Sequence, residues 1–208
     1  MIIAPLSKNK SNLHIPLSKL YYKKVIDMNA IKHFQTITKH KILVGKLCFK
    51  LHLYKQGLCH DLSKYSYTEF KTGILYYQGT SSPNGAERKL KGYSEAWLHH
   101  KGRNKHHWEY WVDFTRNGTT AAKMPYRYVL EMFCDRIAAS MVYRGEDYDD
   151  SYPLTYYDSG KHSYIMHKET RALLEYLLHE LKDRGLEKTF ALINTKKGYD
   201  DYHLEDYL

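Results

Sequence analysis

His60 and Asp61, adjacent in the stretch HDLSK, offer one borderline nitrogen and one hard oxygen that can face the same cation. His40 lies 20 residues upstream, while His99, His100, His106 and His107 cluster about 40 residues downstream, and Asp135 follows in FCDRIAA. Mixed nitrogen and oxygen donor sets of this kind suit Zn, Fe, Mn or Ni better than a thiolate site does. Separate helices can supply the remaining imidazoles and a closing carboxylate. The chemistry predicted is a metal site on a helical scaffold.

The three cysteines, Cys48, Cys59 and Cys134, show no CxxC spacing and read as small buried thiols. Cys59 and Cys134 precede His60 and Asp135, but neighbouring helical positions diverge by about 100° and point elsewhere. Phosphate chemistry at a metal needs fixed positive charge, and Lys64, Arg103 and Arg136 are the candidates. Lys64 is preferred, because it follows Asp61 by about one helical turn on the same face. Arg136 could instead pair with Glu131 or Glu95. Glu69, Glu95 and Glu109 are candidate carboxylates for orienting metal-bound imidazoles. Trp97, Trp108, Trp111, Tyr93 and Tyr110 read as packing beside the site in preference to a base-stacking wall. His14, His33, His52, His162, His167, His179 and His203 have no such context and default to structural or surface roles.

The elements that must position these groups read as helices almost throughout. Residues 1–27 form a basic N-terminal extension, with five lysines against Asp27 (+4), leaving +5 of the formal +9 for residues 28–208. They read as a flexible arm or, preferably, as the product of an upstream start, with Met28 opening the domain. From there Ile31, Phe34, Ile37, Ile42, Val44, Leu47 and Leu51 keep helical spacing, and His40 falls near that face. Gly57 is expected to break the chain before a short helix carrying His60 and Asp61. Ser66 to Glu69 fits a capping box opening a helix to about Tyr77. Further helices are expected over 87–100, 106–114, from Pro125 to about Arg144, 167–183 and 187–194, with 145–165 a long acidic loop and 196–208 a tail. No segment shows strand periodicity. The fold class expected is all-α, a helical bundle with extra C-terminal helices, in one domain over 28–195.

The order of a lone His, then His-Asp, then paired His, then Asp resembles the HD-domain superfamily, whose metal-binding His and Asp residues give it its name. The segments that carry the likeness are HKILVGKLCF, HDLSK, the HH…HH stretch and CDRIAAS, over about 40–140. A closer resemblance is to an uncharacterised bacterial and phage family of that type, through GLCHDLSKYSYTEF, SPNGAERKLKGYSEAWLHHKGRNKHHWEYW and MPYRYVLEMFCDRIAAS. The superfamily pattern implies His40, His60, Asp61 and Asp135 as ligands of a first metal. It further implies Asp61 as a bridge to a second ion held by His99 or His100 and by His106 or His107.

The function this resemblance implies is a metal-dependent phosphohydrolase acting on a nucleotide or other small phosphate ester. One or two divalent ions (Mn, Fe, Co, Ni or Zn) would be the cofactor, and Asp61 and Lys64 would carry the chemistry. A di-iron oxygenase and a non-catalytic nucleotide-binding or phage/host interaction protein are the alternatives. Basic charge without a Lys/Arg run interleaved with aromatics favours a small phosphorylated substrate over polymeric nucleic acid. No apolar run approaches the ~20 residues that span a bilayer, and no signal peptide opens the chain, so a cytoplasmic protein without membrane attachment is expected.

Overall fold

The structure, a computed structural model, describes residues 17–195 and 201–206. In chain order its helices are α1 (Leu17–Lys50), α2 (Tyr54–Cys59), α3 (Tyr67–Leu75), α4 (Pro83–Lys91), α5 (Glu95–Lys101), α6 (Tyr126–Arg144), α7 (Tyr152–Gly160), α8 (Lys168–Arg184) and α9 (Leu186–Asn194). One antiparallel hairpin, β1 (Val112–Thr115) and β2 (Gly118–Ala121), is the sheet found among the described residues. The fold is all-α in class, as expected. No described helix is long and apolar enough to cross a membrane.

α6 is the axis of the bundle, packing against α1, α2, α7 and α8. Val129, Leu130, Phe133, Ile137 and Ala138 are fully buried along it. α8 answers with Leu173, Leu174, Leu177, Leu178 and Leu181 at three-to-four spacing, and each leucine fully buried is worth about 1.5–3 kcal/mol. The buried seam of α1, which packs on α3 and α6, runs through His33, Ile37, His40, Val44, Leu47, Cys48 and Leu51. Ile31, Phe34 and Ile42, expected on this face, are exposed. The buried stripe is set by two histidines, which a purely apolar reading of periodicity passes over.

Several boundaries differ from the sequence expectation, each for a local reason. α1 begins at Leu17 and runs through the expected boundary at Met28 without a break, while residues 1–16 lie outside those described. Gly57 lies inside α2, and His60 and Asp61 sit between that helix and a 3-10 turn at Leu62–Tyr65. The span 87–100 is two helices, because Gly92 takes a left-handed φ of 82° and Ser94 then caps α5 by accepting from the Trp97 amide. The segment 106–114 is a turn, a 3-10 helix at Trp108–Trp111 and then β1, with Arg116-Asn117 between the paired Thr115 and Gly118. Residues 145–165 contain α7, whose Leu154 and Tyr157 reach the core at i, i+3 among otherwise polar neighbours. The expected tail is anchored, since Tyr202 is buried against Tyr126 and its hydroxyl bonds that of Thr170 at 3.1 Å.

Candidate metal centre

Four elements bring the site together. α1 contributes His40, and the next residue, Lys41, donates its Nζ to the carbonyls of Leu58 (2.7 Å) and His60 (2.9 Å). That contact ties the open C-terminal carbonyls of α2 to α1 and sets His60 opposite His40. Asp61 then takes a left-handed φ of 52°, a conformation Asp tolerates better than most residues, and its carbonyl accepts from the Lys64 amide at 3.0 Å. The reversal turns the Asp61 carboxylate into the bundle and leaves Lys64 beside it. α5 delivers His100, the turn after it delivers His106 and His107, and α6 presents Glu131 and Asp135 one turn apart on one face.

Asp61 is buried at the centre. Its Oδ2 is 3.3 Å from His60 Nε2 and 3.8 Å from His40 Nε2, while its Oδ1 is 3.3 Å from His100 Nε2 and 3.4 Å from His106 Nε2. Asp135 Oδ1 closes the first pair, 2.9 Å from His40 Nε2 and 3.5 Å from His60 Nε2. His107 Nε2 lies 2.8 Å from His100 Nε2 on the other side. Two groups that could hold a metal ion result, His40/His60/Asp61/Asp135 and Asp61/His100/His106/His107, and they share Asp61.

The donor set fits a cation. Both Asp61 oxygens and His106 Nε2 are buried with no hydrogen-bond partner, although Lys64 Nζ approaches Oδ2 to 2.6 Å. Unpartnered buried acceptors are costly unless something positive meets them. The ring nitrogens on the far side are occupied. Glu131 Oε1 takes the Nδ1 of His60 at 2.9 Å and of His106 at 3.1 Å. Glu69 holds the Nδ1 of His99 at 2.6 Å and of His100 at 2.8 Å. A carboxylate at Nδ1 fixes the tautomer that leaves Nε2 free to ligate. The third grouping of close donors, His60/His106/Glu131, is therefore a support bridging the two sites.

Charge among these side chains is tightly balanced. Burial raises the Asp61 carboxyl, but His60, Lys64 and His100 outweigh it and hold it well below the carboxylate range. Burial also raises Asp135, and His40 and His60 reverse this. Burial lowers His60, yet Asp61, Asp135 and Glu131 carry it well above its ordinary value. His100 responds alike, with Asp61 and Glu69 overcoming burial to bring it to about 9. His40, lowered by burial and by Lys64, and His107, lowered by burial and by His106 and His100, stay neutral. Burial lowers Lys64, and Asp61 and Asp135 raise it further, so it remains a cation.

A cavity of ≈ 60 Å³ opens on the Lys64 and His100 side of the centre, walled by α1, α3, the start of α4 and Tyr143 of α6. Of the residues predicted to bind a phosphate, Lys64 lines it, while Arg103 and Arg136 do not. Arg103 is exposed and bonds the His99 carbonyl, and Arg136 stacks over Tyr157 and Tyr164 without an ion pair to Glu131 or Glu95. His99 belongs to neither ligand group and turns to Glu69, because it lies about 100° from His100 on α5. Glu69 supports imidazoles in place of the expected capping box, so Ser66 Oγ is left buried and unbonded. Glu95 pairs instead with Lys91, and Glu109 is raised by burial away from the ligands. None of the three tryptophans lines the cavity: Trp97 packs on His100 and His107, Trp108 on Tyr164 and Trp111 on Tyr128. Cys48 and Cys134 are buried as expected, but Cys59 is exposed. Sequence reasoning missed Glu131 as a support, though its place four residues before Asp135 was the available signal.

A family model described as a family of unknown function (DUF5662) matches residues 29–180, which include every residue of the two groups that could hold a metal ion. No curated protein and no solved structure gives a significant match to the chain.

Proposed function

The chain belongs to the DUF5662 family of unknown function, and we propose that it is a metal-dependent phosphohydrolase acting on a nucleotide or other small phosphate ester. The observation that carries this reading is the central Asp61, each of whose oxygens faces a separate pair of imidazole Nε2 atoms. One carboxylate so placed can serve two cations at once, and paired divalent ions suit displacement at phosphorus. The order of these residues also resembles the HD-domain superfamily, in which such ligand sets most often serve phosphoester hydrolysis. The residues 28–195 are the proposed HD-like unit.

The cation-holding residues would be His40, His60, Asp61 and Asp135 on one side and Asp61, His100, His106 and His107 on the other. Divalent ions held there would supply a water of lowered pKa and positive charge for phosphoryl oxygens. The chain's own part is positional and electrostatic. Glu131 and Glu69 aim three of the imidazoles. Lys64, a cation whose side chain is 31 % exposed, reaches the cavity and can hold a phosphate oxygen as a point charge. The chain folded around the centre limits bulk water there, so each of these charges acts in a medium of low dielectric.

Elemental analysis of the wild type beside Asp61→Ala tests the reading, followed by assays on nucleotides and simple phosphate esters. Divalent metal in the wild type, absent from the variant, together with ester hydrolysis that only the wild type performs, is expected. Full metal occupancy in Asp61→Ala would overturn the site. Two irons with visible colour and no ester hydrolysis would overturn the activity in favour of O₂ chemistry.

A further inference from the structure

His33 lies seven residues before His40 on the same face of α1, two turns away along the buried seam. It is only 6 % exposed, yet neither ring nitrogen has a hydrogen-bond partner, its neighbours being the rings of Phe70 at 5.4 Å and Tyr77 at 6.1 Å. Neither nitrogen is among the fully enclosed unpartnered atoms of the described residues, so the ring stays open to the cavity it lines. The sequence makes room for it with a glycine. An atom in the Cβ position of Gly73 would stand 1.9 Å from His33 Nε2, so no other residue at 73 leaves the ring where it is.

The cavity that His33 lines begins at Lys64 and His100 and ends at residues 79–84. Beyond Lys64 its polar walls are neutral. Thr36 and Tyr77 share a hydrogen bond at 3.1 Å, and Ser81, Ser82, Asn84 and Tyr143 add further neutral polar groups. Glu69, the acid present, is committed to His99 and His100. At ≈ 60 Å³ the space is far below the ~300–1,000 Å³ that encloses a drug-sized ligand, so it admits a group of few heavy atoms. No indole faces it to stack a base.

We propose that this cavity binds the alcohol part of a small hydroxylated phosphate monoester, and that His33, seated against Gly73, is the residue that selects hydroxyl groups there. The inference rests on the phosphohydrolase reading and narrows its substrate class. The phosphate lies at the metal ligands and Lys64, and the hydroxylated carbons extend toward α1. Burial and Lys64 push the His33 imidazole down to about 4, so near neutral pH it can both donate and accept. A neutral ring with both capacities suits a hydroxyl, which also does both.

The test compares kcat/KM of the Mn²⁺-loaded full chain for glycerol 2-phosphate, phenyl phosphate and dAMP. The variants are His33→Leu, His33→Asn and Gly73→Ala, each checked for its melting temperature and metal content. The wild type is expected to favour glycerol 2-phosphate. His33→Leu should lose about tenfold on it, chiefly through KM, the scale of one lost neutral hydrogen bond. Phenyl phosphate turnover should be unchanged in that variant, His33→Asn should recover part of the loss, and Gly73→Ala should reproduce it by displacing the ring. Equal losses on glycerol 2-phosphate and phenyl phosphate, or no loss, would overturn the role of His33. A wild type that hydrolyses dAMP but prefers it to glycerol 2-phosphate would overturn this inference and leave the phosphohydrolase reading standing. Failure on all three esters with metal bound would overturn both.

Discussion

Replacing Glu131 by alanine removes one carboxylate oxygen that holds a ligand of each proposed cation, His60 at 2.9 Å and His106 at 3.1 Å. Carboxylates behind metal-bound histidines typically contribute 10–100-fold in metal affinity, about 1.4–2.8 kcal/mol for each ion they serve. Because His60 belongs to one ligand group and His106 to the other, both affinities should fall together by that factor. The metal-free fold should weaken as well. Two buried Nδ1 donors lose their acceptor, at about 1–3 kcal/mol each, and for a chain of this size each kcal/mol lowers Tm by about 2–4 °C. Glu131→Gln, which keeps an acceptor but not the charge, should fall between. Glu69→Ala supports only His100 among the ligands and should weaken one ion alone. Competition against a chromophoric chelator, resolving two dissociation constants, is the assay. If Glu131→Ala weakened a single ion, or neither, the carboxylate would not be a shared support.

Metal uptake should release protons, because His60 and His100 are held above their ordinary values and must lose a proton to ligate. The sign follows directly: below the raised pKa the imidazolium competes with the cation, so apparent affinity should climb with pH toward about 9, the value for His100. Calorimetry in two buffers of different ionisation enthalpy counts the protons, and a pH-independent affinity would contradict the charge balance described. Lys64→Ala should lower kcat/KM for a phosphate ester by at least about tenfold with metal still bound, as expected for a lost charged contact, and unchanged kinetics would return Lys64 to a purely structural partnership with Asp61. Removing residues 1–27 should leave metal content and Tm unchanged, since His33 is the first buried residue of α1 among those whose side chains are described; a truncated chain that loses its metal would show that the first turns of α1 support the site.

The donor types were legible from the chain alone. His60-Asp61 and the Asp135 of FCDRIAA announce a nitrogen and oxygen site whatever the backbone does, because ligand chemistry belongs to the side chain. Long helices were legible too: the leucine stripe of α8 and the apolar run of α6 bury one face each, and that periodicity survives in one dimension. What the spacing left open was direction. His99 and His100 are equally imidazole, and only the rotation of about 100° between them on α5 sends one to Glu69 alone and the other also toward Asp61. Asp61 faces inward through a single left-handed residue at a helix junction, and no periodicity encodes such a turn. Glu69 illustrates the competition: three residues after Ser66 it reads as half of a capping box, but two imidazoles from α5 bind it, while the Ser66 amide donates to the Ser63 carbonyl. His33 carries no local signal, and Glu131 only its spacing of four from Asp135, since a histidine and a glutamate on helices are ordinary surface residues until another helix closes over them. Local sequence determines which atoms can ligate and which segments coil. Packing of α1, α3, α5 and α6 decides which of those atoms share one buried, water-poor space, and only there do their charges act on one another strongly.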